Sequence, residues 1–438
     1  MKNNKFYPIL LIYTALVLLL GTGTVALKRH IRYKPMRKKI ACHSIIVLFF
    51  FTLLIIPGVS RAGGLYINEF GTPSMGVAGA GANAVASDAS TSFHNAAGMT
   101  RIKGKELMGT AGLLNATVKF DPDADTPISG GDGGDAGGPA PILGGFYVHS
   151  LSDKWKLGAN LITITGAILD YDDDWTGRYL NTEVKLLTMT FYPTVAYRVN
   201  NWLSLGGGPQ IMYAELELKA KAPPPNGNGE VKIDGNDVAF GFGLGALVEL
   251  SERTRFGVVY QSEIEPEFDG DISVDPPGIE AGTDTTITLA RFIKVSGYHE
   301  LNDQWALLGT VGWEDWSAFE DVNISTGRGS QKIPRDWKDT WKFAAGVHFR
   351  PVEKWLLQLG VSYDTSPVDS DDRTPDMPID RQIRYATGVQ YKWSDRLSTG
   401  AQFVYADYGK AKIDNDLLKG DYKRNDIFFF AMNANWKF

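Results

Sequence analysis

Cysteine is nearly absent from this chain, whose 438 residues contain a single one, Cys42. A secreted structure without disulfides needs another source of stability, and closed backbone hydrogen bonding supplies one. The same scarcity excludes cysteine chemistry and thiolate metal sites. Histidine is scarce too: four of the six follow residue 62, and none lies in a nucleophile or zinc motif. We therefore expect neither an enzyme nor a cofactor.

Acidic residues are missing from the first 62 positions, which hold ten Lys or Arg and two apolar runs, Phe6 to Leu27 and Ala41 to Pro57. The second run follows a basic stretch that begins at Arg37. It ends near Ala62, where small residues occupy both positions that a signal peptidase reads. We predict a signal peptide over residues 36–62, cleaved after Ala62.

Residues 1–35 precede this signal, and two interpretations of them stay open. Met36 begins a signal of ordinary length, which favours an upstream start codon assigned in error. The first apolar run is also long enough to span a membrane as a helix, so a genuine N-terminal anchor is the alternative. We prefer the misassigned start, because a helix followed by a second signal would be redundant.

The charge of the processed chain argues against nucleic acid as a partner. Removing ten of the 44 basic residues with the leader leaves 34 against 50 acidic ones, a net charge of about −16. Such a chain repels a polyanion.

Short polar turns and long loops alternate along the rest of the chain, as they do in a transmembrane β-barrel. Six very short turns each precede a strand with an aromatic or aliphatic residue near its start. The turns are Ser152-Asp153-Lys154, Asn200-Asn201, Ser251-Glu252-Arg253, Asn302-Asp303-Gln304, Glu353-Lys354 and Ser394-Asp395-Arg396. Seven longer loops, rich in Gly, Pro and Asp, are centred near residues 130, 175, 228, 277, 330, 373 and 416.

Fourteen strand candidates lie between these connections, an even number as single-chain bacterial barrels require. They cover residues 105–121, 141–150, 155–168, 184–199, 202–220, 236–251, 254–269, 285–300, 304–321, 339–351, 355–365, 381–393, 397–409 and 424–438. Alternation is clear in the twelfth, where Ile383 and Tyr385 share one face while Arg384 and Ala386 share the other. We predict an all-β membrane protein, a 14-stranded antiparallel barrel over residues 105–438, with both termini at the short-turn side. A soluble β-sandwich also alternates, but strands of this length and aromatic residues at strand ends disfavour it.

Residues 63–104 precede the first strand and are dense in Gly, Ala and Ser. They are too irregular for another strand pair, so they form either a disordered leader or a plug inside the barrel. A fourteen-stranded barrel has room for a plug.

Carboxylates crowd the first two long loops, from Asp121 to Asp135 and from Asp170 to Asp174. Calcium takes several carboxylate oxygens, so these loops could hold it. The spacing lacks the distal Glu of an EF-hand, so we favour a solvated loop over a calcium site. We assign no metal site and leave calcium open.

Several segments together resemble the FadL/TodX family of outer-membrane channels for long-chain fatty acids and hydrocarbons. The resemblance covers residues 63–438 and is carried by Leu65-Tyr66-Ile67-Asn68-Glu69-Phe70, the small-residue run Ser74 to Ser87, Asp88-Ala89-Ser90, Asn95-Ala96-Ala97, Trp313 to Phe319, Trp337-Lys338-Asp339-Thr340-Trp341 and Asp364-Thr365-Ser366-Pro367-Val368. It implies that residues 63–104 form a hatch that fills the lumen.

The resemblance also implies a route. A ligand passes from an outer groove to an inner pocket and leaves sideways, where an inward kink in the third strand opens the wall. Gly166 matches the position of that kink, and a strand glycine marks a bend on independent grounds. The implied gating residues are Asn68, Glu69, Phe70, Asn95, Ala96, Ala97 and Gly166. The family usually has Asn-Pro-Ala where this chain has Asn95-Ala96-Ala97, so the fixed φ of the proline is missing here.

A fatty-acid pocket needs one or two cations for the carboxylate, since an unpaired buried carboxylate is costly. The candidates, all near long loops, are Lys219, Lys221, Lys332, Arg335 and Lys338; exposed loop charges are the interpretation that we prefer for them.

We predict a monomeric channel of the bacterial outer membrane, surrounded by its lipid and lipopolysaccharide, with both termini periplasmic. It would take up long-chain fatty acids or related hydrophobic compounds passively, with lateral release. A general porin for polar solutes and an uptake channel for aromatic or alkane hydrocarbons are the alternatives.

Overall fold

The computed structural model describes residues 66–223, 229–275, 278–327 and 329–438. The predicted upstream segment (1–35), the predicted signal peptide (36–62) and the first three residues of the predicted hatch lie outside the described residues.

From Lys105 onward β-strands make up most of the chain. The strands are β1 (Lys105–Pro122), β2 (Pro139–Ser150), β3 (Trp155–Ile162), β4 (Gly166–Asp170), β5 (Glu183–Arg198), β6 (Leu203–Lys221), β7 (Glu230–Ser251), β8 (Thr254–Gln261), β9 (Glu267–Asp275), β10 (Ile279–Thr286), β11 (Phe292–Glu300), β12 (Trp305–Glu314), β13 (Asp321–Thr326), β14 (Gly329–Pro334), β15 (Thr340–Phe349), β16 (Trp355–Asp364), β17 (Gln382–Lys392), β18 (Leu397–Asp407), β19 (Ile413–Asp414) and β20 (Lys419–Lys437).

These strands form one closed antiparallel barrel of fourteen spans. The first and last spans close it, because β1 pairs with β20 from Glu106 opposite Lys437 to Pro122 opposite Gly420. Five spans consist of two strands in line: β3 with β4, β8 with β9, β10 with β11, β12 with β13, and β14 with β15. Strand β19 is a short piece of the last long loop, paired with β20. The predicted fourteen-stranded barrel is confirmed.

The barrel turns apolar side chains outward and small or polar ones inward. In β7, Phe240 is 69% exposed and Leu244 54%, whereas their neighbour Ala239 is buried. Aromatic rings of adjacent strands meet at the end with the short turns, called here the turn end: ring centres lie 4.6 Å apart for Trp155 and Tyr197. Such an apolar band with an aromatic rim suits a lipid bilayer.

The polar residues of the short turns hold those turns closed. The Asn302 Oδ1 accepts the backbone N–H groups of Gln304 and Trp305, both at 2.9 Å. The Asn200 Oδ1 accepts those of Trp202 and Leu203 in the same way. Asn and Ser side chains favour turns because they replace a backbone acceptor two or three residues away.

Two of the predicted long loops are strands. The chain near residue 277 forms the hairpin of β9 and β10, and the chain near residue 330 forms that of β13 and β14. The loop prediction was wrong there because these strands have exposed acidic residues where a lipid-facing strand would be apolar, at Asp271 of β9 and at Glu280 and Asp284 of β10. The wall evidently continues past the apolar band, where no outward hydrophobic face is needed.

The N-terminal segment, from Tyr66 to Gly104, fills the lumen and is called the hatch. It contains two short helices, α1 (Ala82–Val85) and α2 (Thr91–His94), and two 3-10 turns, Pro73–Val77 and Ala96–Arg101. None of the helices in the described part of the chain has the length and apolar character that a membrane crossing requires.

Inward-facing glycines let the hatch contact the barrel backbone directly. A Cβ added to Gly257 of β8 would lie 1.8 Å from the Asn83 carbonyl oxygen, and one on Gly360 of β16 would lie 2.4 Å from the Val77 carbonyl carbon. Both distances are impossible, so a side chain at either position must push the hatch away.

We expect Gly257→Val to displace the hatch without preventing barrel formation, because overpacking costs about 1–3 kcal/mol and acts on one contact. Limited proteolysis of the folded barrel should then cut within residues 66–104. Gly109→Val is the matched control, since nothing lies within 4 Å of a Cβ there. Equal resistance of both variants and the unmodified protein would contradict the assigned contact.

Candidate functional site

The third span is interrupted, and the barrel wall is incomplete beside the interruption. Strand β3 ends at Ile162 and β4 begins at Gly166. Strand β2 pairs with β3 as far as Gly144 opposite Ile162, whereas β4 pairs with β5 alone. Residues Pro139–Leu143 of β2 therefore face β4 with no ladder between them, and this opening in the wall is called the window.

Two prolines explain why β2 does not continue its ladder across the window. The Ala116 N–H donates to the Gly138 carbonyl at 2.9 Å, and in an antiparallel ladder every second residue then faces the same neighbour. The backbone nitrogens of Pro139 and Pro141 consequently face the window. Neither can donate a hydrogen bond, which disfavours a strand ladder along this edge.

The start of the hatch supplies the partner that the third span lacks. The Ile67 N–H donates to the Ile164 carbonyl at 3.0 Å, and Tyr66 forms an antiparallel bridge with Thr165. The Tyr66 hydroxyl also donates to the Ala290 carbonyl across the lumen at 2.5 Å. Gly166 follows the break directly, where an added Cβ would lie 3.2 Å from the Leu186 carbonyl oxygen.

A cavity lies between the hatch and the barrel at the level of the break, and it is called the inner cavity. Its lining is largely aromatic and apolar, with two lysines, and includes Tyr66, Asn68, Phe70, Ile164, Phe292, Lys294 and Lys342. The rings of Phe70 and Phe93 meet edge to face at 5.0 Å. Of the predicted gating residues, Asn68 and Phe70 thus line the cavity.

The two lysines of the inner cavity stand on either side of a glycine. In the register, Lys294 is opposite Gly312 of β12, and Gly312 is opposite Lys342 of β15. Their backbones are therefore two strand spacings apart, roughly 10 Å. Each ammonium already has a carboxylate, with Lys294 3.1 Å from Glu314 and Lys342 3.2 Å from Asp364.

Glu69 joins this cluster from the hatch. Its Oε1 lies 2.9 Å from the Arg384 Nε, Arg384 also contacts Asp364, and Glu69 is 2% exposed. The lumen cluster therefore balances three cations with three anions: Lys294, Lys342 and Arg384 with Glu69, Glu314 and Asp364. An additional anion cannot bind there without moving one of the three, because an uncompensated buried charge is costly.

The predicted gating residues Asn95, Ala96 and Ala97 contact a different part of the wall. The Asn95 Nδ2 donates to the Asn83 carbonyl at 2.8 Å and to the Ala246 carbonyl of β7 at 2.9 Å. Its Oδ1 accepts the Ala97 N–H at 3.1 Å. Asn95 thus fixes the hatch to itself and to the wall, away from the break in the third span.

The five loop cations predicted to bind a carboxylate are each paired with an acidic side chain. The pairs are Lys219 with Glu183, Lys221 with Asp173, Lys332 with Asp321, Arg335 with Asp376, and Lys338 with Asp369. None of the five lines the inner cavity. The lumen cations were missed as ligands, although Lys342 and Arg384 occupy inward positions of their strands.

Several carboxylates of the first two long loops likewise contact lysines. Asp125 lies 2.9 Å from Lys419, and Asp132 lies 3.1 Å from Lys423. Within the described ranges, no three His, Cys, Asp or Glu side chains converge as metal ligands would.

Comparison with known proteins places the chain among outer-membrane transporters. The family model described as "Outer membrane protein transport protein (OMPP1/FadL/TodX)" matches residues 53–438. The long-chain fatty acid transport protein of Escherichia coli is 25% identical over 428 residues, which cover 86% of this chain and 94% of that protein. Outer membrane protein P1 of Haemophilus influenzae is 24% identical, over 84% and 91%.

Two solved structures share the fold. A FadL homologue of Pseudomonas aeruginosa superimposes with a TM-score of 0.79 at 21% identity, covering 86% of this chain and 100% of that one. The toluene transporter TodX of Pseudomonas putida gives a TM-score of 0.66 at 13% identity, covering 87% and 99%.

We expect Asn95→Ala to loosen the hatch, because it leaves the buried Asn83 carbonyl and the buried Ala97 N–H without their partner, at about 1–3 kcal/mol each. Hydrogen exchange of residues 82–101 should accelerate while exchange in the strands stays unchanged. The control is Asn115→Ala, whose side chain is exposed. Unchanged exchange in the hatch of the Asn95 variant would contradict the role assigned to this side chain.

Proposed function

Because the chain belongs to the OMPP1/FadL/TodX family of outer membrane transport proteins, we propose that it takes up long-chain fatty acids and releases them sideways through the window. Members of this family are transport channels for hydrophobic compounds in the bacterial outer membrane, not enzymes. The substrate, the direction of release and the orientation are the proposed parts. The turn end, with both termini, faces the periplasm in this proposal.

The window carries the proposal. It lies in the wall beside the inner cavity, and Tyr66 and Ile67, not a neighbouring strand, cover the break. A ligand that leaves through the wall stays in apolar surroundings. Passage through water would cost about 0.8 kcal/mol for each methylene, so roughly 10 kcal/mol for a long acyl chain. Lateral release avoids that cost.

The lumen cluster suggests how a fatty acid opens the window. A ligand carboxylate that binds Lys294 or Lys342 adds a fourth anion to a balanced set. Glu69 is the one anion of that set on the hatch, so it can leave with the least disturbance of the barrel. Its release from Arg384 frees the hatch two residues away from Ile67, and withdrawal of Tyr66 and Ile67 then uncovers the break. The ligand carboxylate and Glu69 compete for the same cations, and the difference between their contacts drives the withdrawal of the hatch.

The loop cations have a smaller part in this proposal. These five cations can attract a carboxylate to the end of the barrel with the long loops, called here the loop end, but each must exchange its present acidic partner to hold it. They are Lys219, Lys221, Lys332, Arg335 and Lys338. Gly166 remains the proposed margin of the window, and Asn95, Ala96 and Ala97 remain the proposed anchor about which the hatch moves. Outside the window, the described spans are paired on both sides, which suits a monomer in lipid and lipopolysaccharide.

Uptake of a neutral hydrocarbon is the second candidate, and the balanced charge of the lumen cluster favours it. A neutral ligand enters the inner cavity without displacing Glu69, so it needs no exchange of ion pairs. A porin is disfavoured, because the hatch occupies the lumen.

Replacing both residues of one ion pair distinguishes fatty acid uptake from hydrocarbon uptake. We expect Lys294→Gln with Glu314→Gln to reduce oleate uptake about 10-fold or more, since a hydrogen bond to a charged group contributes about 1.5–3 kcal/mol. Uptake of toluene should change less than twofold. Both are measured as initial rates of radiolabel uptake in cells that lack their own fatty acid channel. Replacing both members avoids an unpaired buried charge.

The matched control is Lys332→Gln with Asp321→Asn, a pair whose lysine is 69% exposed. Equal loss of oleate and toluene uptake would contradict a head-group role for Lys294. If the unmodified channel takes up toluene and no oleate, the substrate is the hydrocarbon and not the fatty acid. Large steady ion currents in a planar bilayer would point to the porin.

A further inference from the structure

A second cavity lies on the other side of the hatch, toward the turn end, and is called the lower cavity. Polar side chains of the hatch and of β15 and β16 contribute much of its lining: Ser74, Ser87, Asp88, Ser90, Thr91, His94, His348, Arg350 and Gln358. Ser87 is exposed, and Arg350 belongs to a turn of the turn end. The lower cavity therefore reaches from the middle of the hatch toward that end.

A thin partition separates the two cavities. Ser74, Ala82 and His94 line both of them. The His94 Nε2 lies 3.0 Å from the Thr72 Oγ1 and 3.0 Å from the Ser74 Oγ. Ser74, Ala82 and His94 are each half-buried, so part of their surface stays open to the cavities. One layer of small or hydrogen-bonded side chains is thus all that stands between them.

The polar lining of the lower cavity suits water, and two of the lining residues have a buried polar atom without a protein partner. The Nδ1 of His348 and the Oε1 of Gln358 find no hydrogen-bond partner among the described protein atoms, and each residue is 3% exposed. Both residues line the lower cavity. Buried polar atoms are nearly always satisfied, by water where protein offers nothing.

His94 has the hydrogen-bonding capacity to pass water along. Burial, assisted by the nearby Lys294 ammonium, lowers its pKa to about 4. The ring is therefore neutral near pH 7 and has one donor and one acceptor nitrogen. Water molecules that replace the Thr72 and Ser74 hydroxyls as partners of His94 can therefore find both a hydrogen-bond donor and an acceptor on its ring.

Filling the inner cavity creates a need for such a path. A water molecule occupies about 30 Å³, so a ligand of several hundred Å³ displaces on the order of ten of them. The window faces lipid, and the ligand itself occupies the route from the loop end. The displaced water has to leave toward the turn end.

We propose that the hatch contains a water vent, in which the lower cavity conducts water past Ser74, Ala82 and His94 while the hydrophobic ligand leaves through the window. The need for a vent rests on the proposed function, but water conduction does not. The path crosses the hatch without moving it as a body. Its occupants are water and solutes of similar size.

The vent is tested by water flux through the full processed protein in proteoliposomes, measured by light scattering after an osmotic step. We expect the protein to raise water permeability above that of protein-free vesicles, Ala82→Phe to abolish the increase, and His94→Ala to enlarge it severalfold. Ser74→Leu provides a second block in case Ala82→Phe disturbs folding, which heat-modifiable gel mobility reports. The control is Lys103→Phe, an exposed hatch position that lines neither cavity.

The outcomes separate the vent from the transport proposal. Equal permeability for the unmodified protein, both blocking variants and His94→Ala would overturn the vent, whatever the substrate is. If the vent serves transport, a block confined to the lower cavity, Val85→Phe, should slow initial oleate uptake severalfold and leave the oleate Kd within twofold, because Val85 lines the lower cavity and not the inner one. A blocked water flux with unchanged oleate uptake would overturn its role in transport while leaving the conduction intact.

Discussion

Backbone hydrogen bonds have to be satisfied inside a membrane, and this constraint governs the whole structure. The barrel satisfies it almost everywhere by pairing each span with its neighbours and β1 with β20. The third span is the exception. Prolines 139 and 141 cannot donate across the window, and the hatch provides the donor that Ile164 would otherwise lack. A break in the wall is therefore stable as long as the hatch stays docked, which couples the position of the hatch to the state of the window.

Electrostatics in the lumen adds a second coupling to the first. The hatch is held from the side by Arg384, which shares its charge between Glu69 of the hatch and Asp364 of the wall. In the proposed mechanism the cluster is already neutral, so the charge of a ligand decides whether the hatch has to respond. An acid and a hydrocarbon of the same length thus place different demands on one cavity. The polar path through the hatch would let water leave in either case.

The sequence predicted the barrel well, because its signals are local and repeated. Alternation in β17 and the side-chain acceptors of turns such as Asn302 each act within a few residues, and fourteen repetitions compensate for single errors. The hairpins of β9 with β10 and β13 with β14 escaped prediction, since a wall outside lipid needs no apolar face. Contacts between residues far apart in the sequence could not be predicted in this way. Nothing in the sequence places Ile67 beside Ile164 or Glu69 beside Arg384, because both depend on how the hatch folds inside the closed barrel.

A reversible crosslink between the hatch and the break tests the central claim most directly. Ile67 and Ile164 are opposed in a hydrogen-bonded antiparallel pair, for which Cα atoms lie about 5.5 Å apart, within disulfide range. With both residues changed to Cys, we predict that oleate uptake falls to background under oxidising conditions and recovers on reduction, while either single change transports in both conditions. Transport at the unmodified rate by the oxidised double variant would contradict release through the window.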